Sequence, residues 1–300
     1  MFAANFAIML KWVTALVLFY TCAGYTQETT NALDYNYTSL YNAASASLSS
    51  HTAGITLKQD LTKGSLTYTA GVAAWNIDYK MTGNDFNTAN LENITIVKLG
   101  IAYRYKLDDD WDGIAEFTPQ FTSNFKNSSL KDLYPGFMVG LRQTTTGEKA
   151  SELTIALGYK GYFGKFMLMP IINYHQRVNK KLSYTLGIPT IDLAYAITNT
   201  HVLKAVVFAD AFYSKTGGAN YIYDAGQDTN ITISGLEMVN VTAGLEYNYL
   251  SQANWTGSIK AGYSFYNTLK LETPGGTNIN KDLNNNIYIS AGFKYNLNFK

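Results

Sequence analysis

The sequence predicts an all-β protein: a transmembrane, antiparallel up-and-down β-barrel of about 12–14 strands. Three observations carry this expectation. Apolar residues recur at every second position over runs of about 10–16 residues, longer than the five or six usual in globular proteins and sufficient for the roughly 9–11 that cross a bilayer at a tilt. The connections between these runs alternate in length, short polar turns on one side and longer polar segments on the other, as in outer-membrane barrels. The N-terminus has the layout of an export signal, and no other apolar run approaches the length of a spanning helix.

In chain order, MFAANFAIMLK carries Lys11, WVTALVLFYTCA follows as an apolar run, and GYTQETTN turns polar. This predicts a signal peptide over residues 1–26, cleaved somewhere between 23 and 27. A membrane anchor is the competing reading, but the run Trp12–Ala23 is short against the roughly 20 residues a spanning helix needs. The only cysteine, Cys22, stands where a lipoprotein signal would place one, yet Phe19, Tyr20 and Thr21 replace the small residues such a signal wants. With Cys22 removed, thiolate chemistry, disulfides and cysteine-based metal sites drop out.

Residues 27–300 are expected to form the barrel. The candidate strands are 36–48, 53–61, 65–80, 92–106, 112–125, 136–145, 151–163, 166–177, 182–188, 190–198, 202–213, 236–250, 255–270 and 286–299. The first two alternate poorly, so 27–60 is either an N-terminal plug or a first hairpin, and twelve strands with a plug or lid is the alternative count. The clearest alternation is VNVTAGLEYNYL (Val239–Leu250), where Val239, Val241, Ala243, Leu245, Tyr247 and Tyr249 share one face. IVKLGIAYRYKL (Ile96–Leu107) and NIYISAGFKYNLNFK (Asn286–Lys300) repeat it. LSYTLGIPTIDLAYAIT (Leu182–Thr198) has to fold back at Gly187–Pro189.

Short turns fall at Leu61–Ser65, Leu107–Trp111, Val178–Leu182, Ile197–His201 and Leu250–Asn254; long segments fall at Thr82–Asn90, Lys126–Leu133, Ser214–Asn230 and Glu272–Asn286. Tyr105, Trp111, Tyr247, Tyr249 and Trp255 gather near the short turns, where an interfacial girdle would stand. A secreted β-sandwich or a soluble barrel would share the two-residue period; strand length, export signal, loop alternation and aromatic ends favour lipid.

Composition agrees. The 300 residues are 47% hydrophobic and 14% aromatic, with 24 Tyr and only 15% charged, well below the roughly 25% of a soluble domain. The net charge of +1 gives no bulk field for nucleic acid, and none is expected as a partner.

The segment Trp111–Thr198 resembles a family of outer-membrane β-barrels of Bacteroidota-type bacteria classed as a domain of unknown function. The likeness is carried by the aromatic after a polar turn in DDDWDG, by FTPQFTSNF (Phe117–Phe125), by LGYKGYFGKFMLMPII (Leu157–Ile172) and by LGIPTIDLAYAIT (Leu186–Thr198). The family has a Gly-aromatic strand, a Phe-Gly turn, a Pro-containing strand and a Pro-centred bend before an aromatic strand. A departure is the final Lys300, where many such barrels end in an aromatic; Phe299 stands next to it. The resemblance implies a barrel in the bacterial outer membrane and brings no established activity and no catalytic residues.

Chemistry is sparse. The histidines are His51, His175 and His201, and neither His175 nor His201 has a serine in a Gly-x-Ser-x-Gly turn nearby. The acidic stretches Asp78–Asn87, Leu107–Gly113 and Tyr223–Asn230 lack EF-hand spacing, so no metal, cofactor or enzymatic activity is expected. If the apolar sets face lipid, the lumen receives Lys98, Arg104, Lys106, Arg142, Lys160, Lys204, Lys260 and Lys294 against Glu116, Asp192, Asp210 and Glu246, a modest basic bias suited to anions in a wet pore. Trp75, Phe208, Phe212, Met167 and Met169 would put bulk inward, which suggests partial occlusion or an apolar ligand path. The expected function is porin-like passage of small solutes or of an apolar ligand. The alternative is a closed-lumen structural or surface-interaction protein acting through its long extracellular loops. The expected partners are outer-membrane lipid and the barrel assembly machinery, and the expected state is a monomer.

Overall fold

The computed structural model describes residues 31–41, 46–79, 90–218, 221–224, 229–275, 278–283 and 286–297; the expected signal peptide, 1–26, and the last residues, 298–300, lie outside them. The chain is a closed antiparallel barrel. Strands β1 (Asn31–Tyr41), β2 (Ala46–Leu61), β3 (Gly64–Tyr79), β4 (Asn93–Lys106), β5 (Trp111–Ser123) and β6 (Leu133–Thr145) follow one another as neighbours. So do β7 (Ser151–Lys160), β8 (Met167–Arg177), β9 (Leu182–Gly187), β10 (Thr190–Ala196) and β11 (His201–Lys215). A two-stranded hairpin comes next, β12 (Tyr221–Asp224) and β13 (Thr229–Thr232), then β14 (Gly235–Leu250), β15 (Trp255–Glu272), β16 (Asn278–Asp282) and β17 (Asn286–Leu297). β14 pairs with β11 and β15, β15 with β17, and β17 with β1, which closes the ring. With the β12–β13 hairpin and β16 left out, since β16 pairs only with β15, fourteen strands make the wall. Closure pairs every strand of the ring on both sides, with unpaired edge left where β8 and β11 outrun β9 and β10.

The alternation read in the sequence becomes an inside and an outside. On the outer face Leu99, Val139, Ile155, Leu157, Leu193, Leu245, Ile259 and Ile287 are exposed; on the opposite face of the same strands stand buried or polar side chains. No helix among the described residues is long and apolar enough to cross a membrane.

One set of bounds is corrected: the first two strands run over 31–41 and 46–61, not 36–48 and 53–61, and they pair antiparallel with each other, as in the first-hairpin alternative. The stretch ASLSSHTAG (Ala46–Gly54) is small and polar on both faces and offers no hydropathy contrast; its place is set by full-length pairing with β1 and β3. The end of the barrel away from the chain termini is also not uniformly long-looped: β7 and β8 are joined by 161–166, and β9 and β10 by the Ile188–Pro189 turn, whose peptide bond is cis. The longer segments carry structure of their own: the β12–β13 hairpin, β16, and a short 3-10 turn at Leu130–Asp132 held by a capping box from Ser129.

That end of the barrel narrows. Above Thr190, β11 has no partner in β10, and above Asn173, β8 has none in β9. The upper ends of β5 and β11 meet instead, in a parallel bridge at Ser123 and Lys215. The Asn124 amide clamps the junction, donating to the carbonyls of Asn90 (2.7 Å) and Gly217 (2.8 Å) and accepting from the Gly217 N–H (3.2 Å). Nine strands (β1–β5, β11, β14, β15 and β17) thus enclose the upper lumen, while β6–β10 form a lower shoulder beside it.

Candidate functional site

The lumen divides into a dry upper part and a wet lower part. In the upper part Leu40 and Leu48 of the first hairpin, Trp75 and Ile77 of β3, Ile94 and Ile96 of β4, Phe208 and Phe212 of β11, Leu236 and Met238 of β14, and Tyr288 of β17 form one buried apolar cluster. Trp75 and Phe212 lie ring to ring at 5.1 Å, and Phe208 meets Tyr288 edge-on at 4.9 Å. The connections contribute Leu91, Ile233 and Leu283, each at most 2% exposed, which cap the cluster. A β-bulge completes it. Opposite the step between Val241 and Thr242, Phe265 and Tyr266 both stay exposed, and the strand changes phase. Leu269 and Leu271 then turn inward where the period running up from Trp255 would send them out.

Below this seal the inward side chains are polar. Asn240 donates to the Ser264 hydroxyl and accepts from Thr242 at 2.6 Å, and the Ser290 hydroxyl donates to Asn36 at 2.9 Å. Asp210 stands in register beside Asn240, and Lys98 is exposed to the lumen. The Lys260 ammonium sits 4.4 Å over the Phe208 ring, at the boundary between the two parts, and 3.0 Å from Glu246, which also faces Lys204 at 3.8 Å. On the opposite wall Lys160 donates to Glu116 (2.7 Å) and Thr118 (2.9 Å). Arg142 reaches Asp112 and Glu152, both at 3.5 Å, and Arg104 reaches Asp112 at 3.8 Å. Arg104, Glu116, Arg142 and Glu152 line a vestibule of about 410 Å³ with Lys58, Ser65, Thr67, Ile114, Met138 and Thr154.

Of the charges expected in the lumen, Arg104, Arg142 and Glu116 line this vestibule; Lys160 pairs with Glu116, Lys204 and Lys260 pair with Glu246, Asp210 lies in register with Asn240, and Lys98 with Gln120. Asp192 pairs in register with Val206 and Thr185, and Lys294 lies opposite Asp34. Lys106 turns to Asp109 in the short β4–β5 turn (2.9 Å), and that ammonium holds the Asp109 carboxyl below its usual range. The sequence reading passed over Asp34, Asp60, Asp112 and Glu152. They occupy even positions, in phase with the residues it chose, and nearly cancel the basic bias it expected.

A second, smaller apolar cluster lines the shoulder: Ala156, Met169 and Ile171, with Met138, Tyr162 and Ile188 packed against it. Met167, expected inward with Met169, is 51% exposed at the upper end of β8.

The aromatics at the short-turn end form contacts among themselves. Tyr249 and Trp255 lie 5.2 Å apart, Trp255 stacks on Phe293 at 5.8 Å, and Tyr103 meets Tyr105 at 6.3 Å. Trp111 begins β5 with its N–H on the Asp108 carboxylate (2.8 Å). His201, the first residue of β11, shares a hydrogen bond with the Tyr247 hydroxyl (2.5 Å) on the outer face; His51 does the same with Tyr35 (2.7 Å). His175 reaches Thr185 at 3.1 Å. None of these imidazoles meets a nucleophile–acid pair of the kind hydrolysis needs. Among the described residues no three His, Cys, Asp or Glu side chains converge on a point where a metal would sit.

The family model described as "Domain of unknown function (DUF6268)" matches residues 24–296. No curated protein matches. Among solved structures, similarity extends to an outer-membrane channel from Pseudomonas putida F1, with 12% identity, 92% of this chain and 97% of that one covered, and a TM-score of 0.43. It also extends to the NanC porin, with 12% identity, 88% and 100% covered, and a TM-score of 0.40. The translocator domain of the autotransporter NalP from Neisseria meningitidis follows at 10% identity, 98% and 97% covered, and a TM-score of 0.34. At these values the likenesses say nothing of substrate or activity.

Proposed function

We propose that this chain, which belongs to the DUF6268 family, is an outer-membrane barrel that passes small apolar molecules and holds no standing water-filled pore. One observation carries the reading. The lumen is blocked at its long-loop end by a dry apolar cluster, from Leu40 to Tyr288, while a polar vestibule lies beneath it. A hydrated ion entering that cluster would lose its water without gaining a partner, a cost of several kcal/mol at least. An uncharged apolar solute pays no such cost, and displaces only side chains of its own kind.

Location in the outer membrane is supported by the exposed apolar band on the outer face and by the aromatic cluster Tyr247–Tyr249–Trp255–Phe293 near the short turns. An export signal over 1–26, insertion by the barrel assembly machinery and a monomeric state belong to the same proposal. The absence of a catalytic step is part of the proposal as well.

The test compares cells whose outer membranes carry the barrel with cells that lack it, using the uncharged dye N-phenylnaphthylamine and an anionic dye of similar size. Faster uptake of the uncharged dye alone is the expected result. A second reading, a closed barrel acting through its surface, is favoured by the order of the cap, where Leu91, Ile233 and Leu283 are buried and Asn124 joins three segments. Equal uptake of both dyes with and without the barrel would select it.

A further inference from the structure

We infer that the wall has a lateral port, a notch between the upper edges of β8 and β11 closed by the 161–166 turn, through which a small uncharged apolar molecule passes between membrane and lumen. This rests on the function proposed above and supplies its route.

The notch follows from the pairing. β9 reaches only to Gly187 opposite Asn173, and β10 begins only at Thr190 opposite Phe208. Met167–Ile172 of β8 and Asp210–Ser214 of β11 therefore face the same gap without a strand between them. The Ile188–Pro189 turn forms its lower end, where the Ala209 N–H donates to the Pro189 carbonyl at 3.0 Å. The Ser123–Lys215 bridge closes it above. Elsewhere in the wall, neighbouring strands stay paired along most of their length; here the ladder is interrupted by design of strand length.

What fills the gap is side chain and turn. Phe166 stacks on Tyr134 at 5.3 Å and lies 5.7 Å from Tyr159, while Tyr134 meets Tyr213 of β11 edge-on at 5.7 Å. The Phe166 ring stands 3.3 and 3.0 Å from where a Cβ on Gly136 or Gly161 would be, so a side chain at either position would crowd it. Gly164 adopts φ +93°, a conformation that suits glycine, and packs on the Glu237 side chain. Lys165 pins the turn from outside through Glu272 at 2.7 Å, and Glu272 also accepts from Tyr213 at 2.5 Å. The seal is thus a set of packed rings, Phe166, Tyr134 and Tyr213, and one partly exposed ion pair that also holds the Tyr213 hydroxyl, not a hydrogen-bonded ladder.

The lining defines the ligand class. Inside the seal lie Ala156, Met169, Ile171, Met138 and Ile188, deformable thioether and aliphatic groups that conform to varied apolar shapes. Outside it, Leu168 and Ile172 belong to the exposed apolar band. Met138 also lines the vestibule, so the apolar lining runs directly into the polar chamber. An uncharged apolar molecule moves from the outer band to the thioether lining without desolvating a polar group, whereas a charged one loses its hydration in that lining.

The experiment uses the full chain with Cys22→Ser, expressed in outer membranes, and N-phenylnaphthylamine as the probe. Lys165→Cys and Glu272→Cys together are bridged with a short disulfide-containing bismaleimide, which tethers the turn to β15. Uptake should fall to the level of barrel-free cells and return after reduction. Phe166→Ala should raise uptake above wild type. If uptake depends on the barrel but is the same bridged and unbridged, the port is wrong while the proposed function stands. If neither wild type nor Phe166→Ala, shown folded by heat-dependent gel mobility, raises uptake at all, both fall.

Discussion

Phe212→Ala probes the upper seal directly. The Phe212 side chain is 1% exposed and packs against Trp75, ring centroids 5.1 Å apart and tilted by 42°. An aromatic side chain buries about 150–250 Å², which at about 25 cal/mol per Å² corresponds to roughly 4–6 kcal/mol as an upper bound. The alanine retains part of that burial and the neighbours relax partly into the space. The expected loss is therefore about 3–5 kcal/mol, the range found for core Phe→Ala changes. The assay is a urea titration of the mature protein refolded in lipid, with the folded fraction read by heat-dependent gel mobility. A loss under about 1 kcal/mol, typical of a surface change, would mean that Phe212 contacts water and that the upper lumen is not dry. That result would remove the basis for an axial seal.

Other expectations follow from the same geometry. Leu99→Arg and Leu245→Arg, on outer-face residues 56% and 57% exposed, should each destabilise the lipid-refolded barrel by up to about 2–4 kcal/mol if they lie near the bilayer midplane; no loss at either site would place this band outside the membrane. Lys160 and Glu116, 2.7 Å apart, should show a coupling of about 0.5–3 kcal/mol in a double-mutant cycle with Lys160→Met and Glu116→Gln, measured by the same titration. Asn124→Ala removes three hydrogen bonds at the β5–β11 junction and a fourth from the Lys126 N–H, and should cost about 1–3 kcal/mol. Amide exchange should then rise at Gly217 and around Ser123 before it rises in β15.

Much of the wall was legible in the sequence because a two-faced strand writes its environment into every second residue. In Val239–Leu250, Leu245 is 57% exposed and Asn240 wholly buried, as the alternation assigns them. The first hairpin was not legible, because Ser, Thr and Ala at 46–54 suit either face and only β1 and β3 fix their register. Trp75, Phe208 and Phe212 could be placed on the inner face by parity. Their union into a seal could not, because it needs strands remote in sequence and the phase change at Phe265–Tyr266, where two adjacent aromatics were the sole hint. The missed Asp112 and Glu152 were readable by the same parity that found Arg104 and Arg142. The Ser123–Lys215 bridge joins strands far apart in sequence through backbone pairing and the Asn124 amide, and no local pattern signals it.

The most direct test of the central claim is the conductance of the refolded mature protein in a planar bilayer under a salt gradient. The account predicts a silent membrane for wild type, with the barrel shown folded, because the apolar cluster from Leu40 to Tyr288 excludes hydrated ions. Steady discrete current steps from the wild-type barrel would contradict it, and a reversal potential showing anion preference would return the function to an open pore lined by Lys98, Arg104 and Arg142.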